Sequence, residues 1–143
     1  MIKSLLVFVL LLILTGSVTA AGTAPVTTQY VGSITVYTIN WTATAGGAVS
    51  ANPFDVKVGH VIDVKFVPGT GGDAPDADYD VTLVDEDGID LLNGTGANLS
   101  ASAPLLVVFD PLLLHDSRQN FDVVVANAGN ANKGTVIIRA LEL

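Results

Sequence analysis

Eight of the chain's 14 acidic residues fall within 18 positions, at Asp73, Asp76, Asp78, Asp80, Asp85, Glu86, Asp87 and Asp90. Carboxylates at alternating positions are the hard oxygen donors that Ca²⁺ gathers, six to eight at a time. Asp76, Asp78, Asp85 and Asp87 are the residues that would supply them. Their spacing fails the EF-hand pattern, which needs Asp-x-Asp-x-Asp-Gly and a distal bidentate Glu. Tyr79 and Asp80 already begin an alternating strand, and Gly88 comes too late. The better reading is a solvated Asp-rich loop and a Glu-Asp-Gly turn, in which Asp side chains cap their own backbone without metal or cofactor.

Other chemistry finds little footing. His60 and His115 are the only histidines, one in an expected hairpin turn and the other in a loop after an apolar run. No Gly-x-Ser-x-Gly elbow, His-Glu-x-x-His pair or phosphate loop occurs. His115, Asp116 and a distant Ser could be assembled into a triad, as could residues of any chain with two histidines. Paired carboxylates of the glycosidase kind are plentiful, but one Trp and three Tyr make a poor sugar-stacking cleft. The absence of Cys removes disulfides, thiol enzymes and thiolate metal sites. Six basic against 14 acidic residues, a net charge of −8, leave no footprint for a phosphate backbone, so no nucleic-acid partner is expected. The expectation is a protein that is not an enzyme.

The elements that would position these residues begin after a leader. Lys3 precedes an unbroken apolar run from Leu5 to Leu14, and Thr15, Gly16 and Ser17 break it before Val18-Thr19-Ala20. That is the layout of a secretory signal peptide ending near Ala21. A retained anchor is the rival, although spanning needs about 20 apolar residues. Residues 1–21 are therefore read as leader, 22–28 as a loose segment and 29–143 as one domain. Cleavage would export the domain to the periplasm, cell surface or medium. Without cleavage it would stay on a virion or be anchored, the leader being its one link to a membrane.

Within the domain, β-branched and aromatic residues alternate with small polar ones, and turn residues recur every 8–12 positions. Strands are expected at 33–42, 54–58, 61–67, 79–84, 89–92, 105–109, 121–125 and 135–139. Gly59-His60 reads as the turn of a hairpin joining the second and third of these, and Gly88 as the turn before the fifth. Leu105 to Phe109 reads as a strand buried on both faces and stopped by Pro111. About eight such strands make a single antiparallel β-sandwich, jelly-roll or immunoglobulin-like. Leu112, Leu113 and Leu114 extend the apolar stretch beyond Pro111 and, unless they fill the core, mark an interface.

Several segments carry a resemblance: Val58-Gly59-His60-Val61-Ile62, Phe66-Val67-Pro68-Gly69, Tyr79 to Asp85, Gly88 to Leu92, Gly96 to Ser100 and Val124 to Thr135. In order and turn chemistry the chain, from about Tyr30 to Arg139, resembles small β-sandwich proteins encoded among the virion genes of tailed bacteriophages and prophages. The resemblance implies a structural or accessory component whose partner is itself or a protein of a particle or envelope surface. The leader departs from that pattern and points to an exported relative or a membrane-associated virus. A secreted module for glycan or Ca²⁺-dependent adhesion is the alternative.

Overall fold

The computed structural model describes residues 22–49, 53–56, 59–115 and 119–142, with 110–115 and 119 described by their backbone alone. The strands are β1 (Val26–Val31), β2 (Ile34–Thr42), β3 (Phe54–Val56), β4 (Gly59–Pro68), β5 (Asp80–Val84), β6 (Leu105–His115), β7 (Gln119–Ala126) and β8 (Lys133–Glu142). A single 3-10 turn, Gly71–Asp73, interrupts the β4–β5 connection. The strands form a five-stranded sheet, β1-β2-β8-β4-β6, and a three-stranded sheet, β3-β7-β5. All pairings are antiparallel, and the two sheets share one core.

The pairs β2–β8, β3–β7 and β4–β6 are nested around β5 and lie alternately in the larger and smaller sheet. The chain is thus a long antiparallel ribbon rolled on itself, with β4–β8 and β5–β7 as the seams made by rolling. This is a jelly roll. Of the two sandwich types expected from sequence, the nested pairing selects this one.

Strict alternation builds the core. Along β2, Thr35, Tyr37, Ile39 and Trp41 are buried while Ile34, Val36 and Thr38 are only partly so. Trp41 meets Tyr79 at 5.8 Å between ring centroids, and Phe54 bridges Tyr37 at 5.6 Å and Phe121 at 6.3 Å. These aromatic contacts tie the larger sheet to the smaller one. Burial pushes the Tyr79 phenol up to about 12 from 10.0. The unfolded chain releases this proton first, so the phenol's contribution is whole below pH 10 and is lost as pH rises through about 12. Alkaline titration of phenolate absorbance should show a late step near 12 that Tyr79→Phe removes. A step that survives the substitution contradicts the assignment.

Five expectations are corrected. Gly59-His60 is not a hairpin turn, because β3 pairs with β7 and the chain crosses to the other sheet to enter β4. Gly59 is needed for a different reason: a Cβ there would run into the Leu141 carbonyl oxygen across the ladder. Ile89 to Leu92 is not a strand. Asp90 accepts the Leu92 and Gly94 N–H groups at 3.0 and 2.9 Å, which diverts the backbone into turns. Segment 22–28 is not loose, since Thr23 bridges Thr42, Ala24 is buried and β1 begins at Val26.

Pro111 does not stop β6, which runs through it to His115. Proline is tolerated there because β6 is an edge strand and its ladder with β4 is irregular between Val61 and Asp63. Finally, Leu105 to Phe109 is a strand but is not buried on both faces. Val107 and Phe109 pack against the core, whereas Leu106 and Val108 point to the outer side of the sheet, which no other described residues cover. The expected count of eight strands holds, but β1 replaces 89–92 in it.

Candidate functional site

The acidic residues serve the fold. Asp85 Oδ1 accepts the Asp87 and Ile89 N–H groups at 3.0 and 2.9 Å, while Gly88, at φ 79°, closes the turn as expected from sequence. Asp80 accepts Asn98 N–H at 2.9 Å and Asn127 Nδ2 at 2.8 Å, so it knits the β5 start to two distant loops. Asp76 lies against Asn132 Nδ2 at 3.4 Å, and Asp73 pairs with Lys133 at 2.9 Å. Asp78 sits at φ 62° in an exposed turn, and Asp87 is exposed. Asp76, Asp78, Asp85 and Asp87 are not brought together: among the described residues no three acidic or histidine side chains could hold one metal ion.

His115, expected in a loop, instead ends β6, where it pairs with Gly59, while His60 pairs with Leu114. His60 Nδ1 is buried with no hydrogen-bond partner among the described residues. Asp116 lies outside those residues. Asp122 Oδ1, on the smaller sheet, is likewise buried and unpartnered, and desolvation raises that carboxyl above its ordinary value. Two open depressions lie near the β2–β8 end of the larger sheet. One, of about 270 Å³, is lined by Trp41, Asp73, Lys133 and Gly134; the other, of about 410 Å³, by Thr23, Thr44 and Asn130. In the first, Asp73 and Lys133 are paired with each other.

The outer face of the five-stranded sheet is the more telling surface. Register and alternation put Val31, Ile34, Leu141 and His60 in one row across β1, β2, β8 and β4. The next row is Gln29, Val36, Arg139, Asp63 and Val108, and the third is Thr27, Thr38, Ile137, Lys65 and Leu106. Apolar side chains thus occupy a face that no second layer covers among the described residues. Val31 is 55% exposed, Leu106 48% and Val108 61%. An ion pair sits in the middle. The β4 irregularity turns Asp63 outward beneath Arg139, whose Nε and Nη2 reach its two oxygens at 2.8 and 2.7 Å. Asp63 is 5% exposed, and its hydrogen bonds favour the charged guanidinium.

No protein-family model matches the chain, and neither the curated proteins nor the solved structures contain a match. The site therefore stands on its own geometry.

Of the expected interface residues, Leu112, Leu113 and Leu114 lie in β6, with Leu113 opposite Val61 and Leu114 opposite His60. Their side chains are outside what the structure describes. The apolar residues that sequence reading missed are Val31, Ile34, Val36, Ile137 and Leu141, while Leu106 and Val108 were assigned to the core and are exposed instead. A signal was present: Val136-Ile137-Ile138 and Leu105 to Phe109 are apolar on both parities, so each must place apolar groups outside a two-layer core.

Proposed function

We propose that this domain is a non-enzymatic structural module that works by surface association, as a minor virion component or an exported relative of one. The observation that carries the reading is the apolar face of the larger sheet, left uncovered by the described residues, with Leu106 and Val108 exposed on its edge strand. Exposed patches of this kind on a small domain mark interfaces. The sequence resemblance to virion-encoded sandwiches and the jelly-roll winding agree with it. The adhesion alternative has less support, because Asp80, Asp85 and Asp90 are engaged in holding backbone.

Sedimentation of the purified protein over a concentration series, alone and with particle or envelope fractions of its native source, tests the reading. The wild type should self-associate or co-sediment, and Val36→Lys with Ile137→Lys should release it from those fractions while the melting transition persists. A wild type that stays monomeric and leaves those fractions refutes the module.

A further inference from the structure

The five-stranded sheet ends in two free edges that differ in chemistry. β1 is polar in its middle, at Thr27, Thr28 and Gln29, all exposed, with Tyr30 and Val31 exposed at its end. Such an edge is well hydrated. β6 instead presents Leu105, Leu106, Val107, Val108 and Phe109, with no charge in a chain of net charge −8. Natural edge strands are usually protected by Lys, Pro or a covering loop. Among the described residues β6 has none of these in this stretch, its Pro111 lying further along in the irregular part of the strand.

Unpaired N–H and C=O groups along an edge accept only another extended strand, which sets the class of partner. From these observations we infer that β6 pairs antiparallel with β6 of a second copy of this chain about a two-fold axis at Val107, joining two five-stranded sheets into one. This deepens the association reading above and rests on it.

The strand is self-complementary about that axis. Leu106 faces Val108 of the second copy on the outer side, Leu105 faces Phe109 on the inner side, and Val107 faces itself. Each contact is apolar against apolar, the pairing that stabilises antiparallel neighbours. The flanking charges also agree. Within one copy Lys65 lies beside Leu106 and Asp63 beside Val108. The axis therefore puts Lys65 of one copy in the same row as Asp63 of the other, opposite in sign. Two acidic molecules thus approach through an edge where like charges do not meet. Closure by a two-fold consumes the apolar edge of both copies, so assembly at this edge stops at a dimer.

Two experiments on the full-length protein test the pairing. In sedimentation, Leu106→Glu and Val108→Lys should each raise the dimer dissociation constant at least about tenfold, since each removes both apolar contacts between 106 and 108 across the axis. The double variant L106E/V108K should recover most of the loss, because its opposite charges face each other across the axis. Both substitutions suit their own sheet, Glu beside Lys65 and Lys beside Asp63. The cysteine-free chain allows a second readout that tolerates weak pairing. Under copper phenanthroline, Val107→Cys should cross-link to itself, Val108→Cys much less so, and a mixture of Leu106→Cys with Val108→Cys should give the heterodimer. Equal self-cross-linking of the 107 and 108 variants, no gain in the double variant, or an open series of species beyond the dimer overturns the two-fold pairing. If association persists in L106E but disappears in the Val36→Lys, Ile137→Lys variant, the edge pairing falls while the module reading stands. Loss of association in every form, wild type included, removes both.

Discussion

Gly134→Ala is expected to cost the domain about 2–3 kcal/mol, toward the upper end of what one extra buried methyl does. Gly134 faces Trp41 across the β2–β8 ladder, and a Cβ on it would lie 2.7 Å from Trp41 Cε2 and 3.0 Å from Nε1. The indole cannot withdraw, because Trp41 is 2% exposed and its other neighbour is the Tyr79 ring at 5.8 Å. In an open strand the same substitution would be favourable, alanine being the better residue by backbone entropy. The ring therefore sets the sign. Denaturant unfolding of G134A, W41F and the double variant reads the effect directly. The smaller phenyl ring should make G134A less costly in the double variant than in the wild type. Additive losses, or an unchanged midpoint for G134A alone, would mean that the indole has room to move.

Arg139→Met should destabilise by about 2–3 kcal/mol, less than the full loss of a deeply buried pair because the guanidinium is partly in water. The Asp63 side chain is only 7% exposed, whereas that of Arg139 is 47% exposed. Removing the cation strands a carboxylate whose two oxygens both bonded it. Asp63→Asn in the same chain should return most of the stability, since a neutral amide carries a far smaller desolvation penalty. The informative comparison is R139M against D63N/R139M by thermal or denaturant unfolding. A single variant no worse than the double would show that water already solvates Asp63. The pair also bears on association: Arg139 and Asp63 sit amid the apolar outer face, where they orient any partner that covers it.

Much of the fold was legible. The alternation of Ser33 to Thr42 and Tyr79 to Val84 appears as β2 and β5, and Gly88 turns where expected. The capping of backbone by Asp85 was foreshadowed by residue type in the turn that ends at Gly88, whereas that by Asp90 was not, since 89–92 reads as a strand. Asp80 reaching Asn98 and Asn127 was not, because those partners are 18 and 47 residues away. The β1 strand was missed for a related reason. Thr27, Thr28 and Gln29 bury nothing and are strand only because they pair with Thr38, Tyr37 and Val36 of β2.

The sequence by itself determined that this is an acidic, cysteine-free, all-β domain whose strands alternate, because side-chain parity, β-branching and turn chemistry act over a few residues. Only the tertiary structure decided which strands are neighbours and which apolar face is left open. Periodicity sorts residues into two faces but does not say whether a second layer lies over either. Here β6 has only β4 beside it among the described residues and nothing over its outer side, and so Leu105 to Phe109, which reads as core, becomes an open edge.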